Sequence, residues 1–176
     1  MASILAFAGS NSSTSINFKL VRYTSNLVDL DVELLNMANH TFPMFSEDRE
    51  NQLGFPETIT EMMSRISEAD ALIISVNEHN GGISAYFKNV LDWLSRVDRS
   101  YLEGTKIFLM STSPGKRGGV SALEYAKSVL PRVGANIVTT FTLPSFYSNF
   151  NDEQGIVDPE LANLHKEALN QFKAEI

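Results

Sequence analysis

Cysteine is absent from all 176 residues. That absence removes disulfides, thiol nucleophiles and cysteine-based metal sites, and it agrees with a reducing compartment. No apolar run approaches the ~20 residues needed to span a bilayer. The N-terminus shows neither a basic leader segment nor the long apolar stretch of a secretory signal. Positive charge is the scarcer sign: 14 Lys+Arg stand against 21 Asp+Glu, a net charge of -7 at pH 7. Such a surface repels nucleic acid and anionic membranes. Neither is expected as a partner, and a cytoplasmic location is expected. Two phosphate-binding fingerprints are also missing. There is no G-x-G-x-x-G, and Gly115-Lys116 is followed by Arg117, so the P-loop pattern fails. His40, His79 and His165 show no ligand spacing, and Glu47, Asp48 and Glu50 read as a solvated acidic face, so no metal is expected. No repeat, linker or low-complexity tract interrupts the chain, which reads as one domain over residues 1–176.

What is present begins with a hydroxyl-rich turn. Ile4-Leu5-Ala6-Phe7 reads as a strand, and Phe18-Lys19-Leu20-Val21-Arg22-Tyr23 reads as a helix. Between them lie Gly9, Ser10, Asn11, Ser12, Ser13, Thr14, Ser15, Ile16 and Asn17. A helix start leaves backbone N–H groups unpaired and carries the positive end of the helix dipole, which suits a phosphate. The same Ser and Thr residues are also ordinary helix caps, so the turn admits both readings. A loop of neutral donors without lysine suits a terminal monophosphate better than a triphosphate and its metal.

Along the chain, Ile16, Leu20, Tyr23 and Leu27 predict the inward face of the first helix. Asp31–Leu35 predicts a second strand, and residues 37–55 a long connection, a kind of loop that is often functional. Its apolar half, Phe42, Pro43, Met44 and Phe45, suits covering a ligand or meeting a partner subunit, or tucking against the chain's own core, which is the expectation for the two Phe residues taken singly. Pro56 opens a helix striped by Ile59, Met62, Met63 and Ile66. Ala71-Leu72-Ile73-Ile74-Ser75-Val76 is a continuous apolar run, which marks a central strand buried on both faces. The turn Asn77-Glu78-His79-Asn80-Gly81-Gly82 precedes a helix carrying Ile83, Tyr86, Phe87, Val90, Leu91, Leu94 and Val97 on one face. On that helix Lys88 and Asp92 are spaced to pair. A fourth strand at 105–111 enters a third polar loop at 112–119. Val120, Leu123, Ala126 and Leu130 mark the next helix, and 136–141 a fifth strand. Residues 142–157 read as irregular. A last helix begins at Asp158-Pro159-Glu160, with Leu161, Leu164, Ala168, Leu169 and Phe172 inward and His165 on the surface. Five strands alternating with five helices predict a three-layer α/β/α domain with a mostly parallel sheet. Right-handed crossovers then gather the loops at 9–17, 77–82 and 112–119 on one edge, where such folds bind ligands.

These loops resemble those of a known family, the NAD(P)H-dependent FMN reductases of the flavodoxin-like group, whose relatives include chromate, quinone and azo reductases. Gly9-Ser10, Ser15 and Asn17 are similar to that family's G-S-x-R-x-x-S-x-N. Glu78, Asn80 and Gly81, followed by Lys88-Asn89 and Leu91-Asp92-Trp93, resemble its P-E-Y-N-G…K-N…D-W. Ser113-Pro114-Gly115 and Gly118-Gly119 resemble its third loop. The chain departs from the pattern where Ser12 replaces the family's Arg, Asn77 its Pro and His79 its Tyr.

The resemblance implies a flavodoxin-like sheet of five parallel strands in the order 2-1-3-4-5. It implies an FMN site with Ser10, Ser12, Ser15, Ile16 and Asn17 at the phosphate. Asn77, Glu78, His79, Asn80 and Gly81 would edge the ring system, with Ser113, Gly115 and Gly118 approaching from the third loop. It implies hydride transfer from NADPH or NADH to the flavin. Two electrons would then pass to a small acceptor, whether flavin, quinone, azo compound or metal oxyanion. No residue is expected to be catalytic in its own right. For His79, contact with flavin or substrate and simple loop solvation both stay open. Trp93 reads as core, in a region that also forms the family's subunit face, and a homodimer or homotetramer is implied. The alternative is a flavodoxin-type electron carrier with no nicotinamide turnover of its own, which the acidic surface would suit.

Overall fold

A computed structural model describes residues 2–176. The five expected strands are β1 (Ser3–Ala8), β2 (Asp31–Leu35), β3 (Ala71–Val76), β4 (Lys106–Thr112) and β5 (Asn136–Leu143). They form one all-parallel sheet in the order β2-β1-β3-β4-β5. This is the implied 2-1-3-4-5 arrangement.

Side-chain alternation divides the core into two. Leu5, Phe7, Leu72, Ile74, Ile107 and Leu109 point to one face of the sheet. There they meet α3 (Glu57–Glu68), α4 (Ala85–Val97) and α5 (Val120–Val129) through Ile59, Met62, Ile66, Phe87, Val90, Trp93 and Leu123. Ile4, Ala6, Ile73, Phe108 and Met110 point to the other face. They pack on α1 (Ile16–Ser25) and α7 (Pro159–Glu175) through Leu20, Val21, Leu169 and Phe172. Every residue of β3 is buried, as expected of a central parallel strand covered on both sides. Among the described residues no helix is long and apolar enough to cross a membrane.

The structure departs from the sequence reading in several places. Residues 37–55 are not a bare connection, for they hold a 3₁₀ turn at Met37–Asn39 and α2 (Glu47–Leu53). No residue of α2 is buried, so it leaves no periodic apolar signal. It is made instead by its ends: Ser46 Oγ accepts from the Arg49 N–H at 3.2 Å, and Gly54 closes it at φ 70°. Phe42 is buried, and Phe45 packs edge-on against Trp93, with ring centroids 5.0 Å apart. The Trp93 indole N–H fixes the same segment by donating to the Pro43 carbonyl at 2.8 Å. Residues 142–157 are also more ordered than expected. They contain the end of β5, α6 (Phe146–Asn149) and a small hairpin pairing Phe150 with Ile156.

Ile83 belongs to a hairpin that precedes α4, whose N-cap is Ser84. Leu27 lies beyond the end of α1, and Leu164 on the outer side of α7; both are exposed. His165 is the opposite case, buried at 1% exposure where a surface position was expected. It shares the inward stripe of Ala168, Leu169 and Phe172, so its polar character misled where helical spacing would not have.

Candidate active site

β1 leads into Gly9, where there is no room for a side chain: a Cβ would lie 2.7 Å from the Phe87 ring. The Gly9 N–H donates to the Ser75 carbonyl at 2.9 Å, and its own carbonyl accepts from Ser84 Oγ at 2.7 Å. Ser84 also caps α4 by accepting from the Phe87 N–H at 3.1 Å. The first loop is thus fastened to β3 and to the head of α4.

Beyond Gly9 the loop curls on its own hydroxyls. The Ser12 N–H donates to Ser10 Oγ at 3.3 Å, and the Thr14 N–H to Ser12 Oγ at 3.3 Å. Ser15 is the N-cap of α1, accepting from the Phe18 N–H at 3.1 Å. The N–H groups of Ser13, Ile16 and Asn17 then have no acceptor among the described residues. The Asn17 side chain is differently employed. Its Nδ2 donates to the Thr112 carbonyl at 3.1 Å, and its Oδ1 accepts from Ser75 Oγ at 2.7 Å and from the Thr112 N–H at 3.0 Å. It is a buried strut that ties α1 to the ends of β3 and β4.

After β3, Glu78 and His79 pair antiparallel with Gly82 and Ile83. Asn80 at φ 51° and Gly81 at φ 78° make the Asn-Gly turn that suits a two-residue hairpin. The Glu78 carboxylate reaches away from the turn to α5, whose N-cap Gly119 offers no side chain. Its Oε2 accepts from the Ser121 N–H at 2.9 Å and the Ala122 N–H at 3.3 Å. An anion at a helix N-terminus is favourable, so this contact holds the second loop against the third.

The third loop is held by the segment after β5. The Ser145 N–H donates to the Gly115 carbonyl at 2.9 Å and the Phe146 N–H to the Ser113 carbonyl at 3.0 Å. Gly118 is a packing glycine at φ 59°, where a Cβ would meet Thr142 at 2.6 Å.

These loops enclose a single cleft at the carboxyl edge of the sheet. Ser10, Ser12, Thr14, Ser15, Ile16 and Asn17 line it from the first loop, and Asn77, Glu78 and His79 from the second. Thr112, Ser113 and Pro114 line it from the third, and Tyr147 from α6. No lysine or arginine is among these residues. Of the residues expected at the site, Asn80 and Gly81 form the exposed hairpin tip, Gly115 is exposed and Gly118 buried on the third loop, and none of the four lines the cleft. Tyr147, 74% exposed, was not foreseen. The rule that places strand-to-helix loops on one edge applies equally to the loop after β5, and would have found it.

The sequence profile of the NADPH-dependent FMN reductase family matches residues 2–148. The quinone reductase of Escherichia coli K12 is 25% identical over 162 residues, spanning 92% of this chain and 84% of that protein. The NADPH:quinone oxidoreductase of Arabidopsis thaliana is 26% identical, spanning 97% of this chain and 90% of that one. The fold is shared with the flavoenzyme NAD(P)H:(acceptor) oxidoreductase FerB of Paracoccus denitrificans. Its TM-score is 0.79 at 21% identity, over 98% of this chain and 95% of that one. A doubly wound sheet whose three loops meet over an open helix start, together with a profile match across most of the chain, makes this protein a member of the NADPH-dependent FMN reductase family.

Proposed function

We propose that residues 1–176 act as a single FMN-binding domain that reduces a small acceptor of the quinone class at the expense of NADPH or NADH. The observation that carries this reading is the pair of N–H groups at Ile16 and Asn17, without an acceptor among the described residues and belonging to residues that line the same cleft as the second and third loops. The quinone reductases among the relatives support the acceptor class.

In this reading the head of α1 and the hydroxyls of Ser12, Thr14 and Ser15 hold the phosphate as a cradle of neutral donors. The backbone around Glu78 and His79 lies along the ring system, and Ser113 and Pro114 approach it from the other side. When bound, the flavin supplies the two-electron chemistry, taking hydride from the nicotinamide and giving electrons to the acceptor. The protein positions the reactants and limits water, with Tyr147 at the mouth of the cleft. His79, exposed beside the cleft, is available to an incoming substrate. Lys116 and Arg117, exposed on the third loop, are placed to attract the nucleotide's phosphates. The protein is expected to work in the cytoplasm as a homodimer or homotetramer. Exposed Met44, Leu53 and Phe55 near Trp93 supply the apolar surface for assembly.

The test is a visible absorption spectrum of the isolated protein, followed by steady-state assays with NADPH or NADH and a quinone or free flavin. A yellow protein that turns over bears the reading out. Tight flavin binding with no turnover on any acceptor would leave the electron-carrier alternative standing instead.

A further inference from the structure

We infer that Asn77 recognises the polyhydroxyl chain of the cofactor, its Oδ1 accepting a hydrogen bond from one of the chain's hydroxyls. This deepens the flavin reading above and rests on it. Asn77 Oδ1 is buried and has no hydrogen-bond partner among the described residues. An amide oxygen shut away from water without a donor is costly, so a group in that state calls for an explanation. Asn77 also lines the cleft, so the missing donor has a place to come from.

Its position selects the part of the ligand. β1 and β3 pair Ala8 with Ser75, and β3 and β4 pair Val76 with Ser111. Continued beyond the strand ends, this register brings Asn77 level with Ser10 on one side and Thr112 on the other. All three line the cleft. Ile16 and Asn17, at the head of α1, line the cleft from the first loop, and Glu78, His79, Ser113 and Pro114 line it from the second and third. A ligand with its phosphate at the head of α1 and its ring among the later loops must lay its connecting chain over the floor between them. In FMN that chain is ribityl, which carries hydroxyl donors.

Neighbouring polar side chains on the floor already have partners within the protein. Ser10 Oγ accepts from the Ser12 N–H at 3.3 Å, and Asn17 Oδ1 accepts two hydrogen bonds. Thr112 Oγ1 donates to the Leu143 carbonyl at 2.7 Å. Among the described residues, Asn77 Oδ1 is the buried side-chain polar atom of the cleft lining that has no partner.

The experiment measures binding of FMN, riboflavin and lumiflavin to the flavin-stripped protein by fluorescence quenching, in the parent and in Asn77→Leu. Lumiflavin keeps the ring but lacks the chain. Loss of the acceptor weakens FMN and riboflavin each by about tenfold and leaves lumiflavin unchanged. The ligand-free variant melts no lower than the parent, because the substitution removes an unsatisfied buried oxygen. Asn77→Ala, which also removes the acceptor, gives the same pattern if leucine is not accommodated. Equal weakening of lumiflavin, or undiminished riboflavin binding, overturns the proposal while leaving the flavin reading intact. A parent protein that binds none of the three overturns both.

Discussion

His165 offers a sharp test of the packing between α7 and the sheet. Its ring lies among Tyr23, Phe108 and Phe141, with centroids 5.4, 5.9 and 5.0 Å away. Its one polar neighbour is Thr24 Oγ1, 2.8 Å from Nε2. The Thr24 hydroxyl gives its proton to the Leu20 carbonyl at 2.9 Å, so Nε2 carries the hydrogen and donates to it. Nothing here stabilises a second proton, and burial pushes the imidazole down from 6.5 to about 4. The folded protein therefore holds this ring neutral at a pH where the unfolded chain protonates it. Stability is complete above pH 6.5 and is lost as pH falls toward 4.

At about 1.4 kcal/mol per pH unit, the loss over that interval is about 3 kcal/mol. For a protein of this size that lowers the melting temperature by roughly 6–12 °C. The assay is thermal unfolding from pH 7.5 to pH 4 for the parent and His165→Gln, one profile subtracted from the other. Carboxylates titrate in both proteins and cancel, so the difference should fall between pH 6.5 and 4. The three histidine ring signals in proton NMR give a second reading, with one signal not moving until the sample nears pH 4. A flat difference profile, with the His165 signal titrating near pH 6.5, would refute the buried, neutral assignment.

Ser15→Ala should weaken FMN binding by about 1.5–3 kcal/mol, the range for a hydrogen bond to a charged group, and riboflavin much less. The lost cap should also cost about 1 kcal/mol of stability, visible by melting; equal losses for both ligands would place the phosphate elsewhere. Glu78→Gln should remove about 1 kcal/mol of charge–dipole stabilisation at the head of α5 and lower the melting temperature by about 2–4 °C at pH 7. An unchanged melting temperature would show that the carboxylate does not hold the two loops together. FMN affinity should hold or rise slightly between 50 and 500 mM salt, because no cation lines the cleft and salt screens the net charge of -7. A tenfold fall would show that a lysine or arginine reaches the phosphate.

Elements with apolar periodicity were legible in the sequence, and elements built on polar ends were not. β3 is visible because six buried residues in a row leave a signal with few other origins. α2 is invisible to the same reading because it buries none of its residues. Its evidence is a serine before an acidic first turn and a glycine after the last residue, which are signals of capping rather than of period. His165 shows the converse error, where residue type was given more weight than its place on the helical stripe. At the site, the three loops followed from strand alternation and crossover handedness. Tyr147 did not, because the segment after β5 has no glycine-rich punctuation to draw attention to it.

The polar residues that made the cleft recognisable are largely employed in building it. Asn17 joins α1 to two strands, Ser84 joins the first loop to α4, and Glu78 joins the hairpin to α5. Each of these side chains is engaged within the protein, where it holds one loop or helix to another. What they leave open are the backbone N–H groups of Ser13, Ile16 and Asn17 and the amide oxygen of Asn77. A motif of this kind therefore specifies a shape first and a ligand through that shape. Replacing one of the struts should disturb every part of the ligand together, because the loops shift as a unit. Replacing Asn77 or Ser15 should disturb only the portion of the ligand that it touches. The pattern of loss across FMN, riboflavin and lumiflavin thus separates residues that build the cleft from residues that read what enters it.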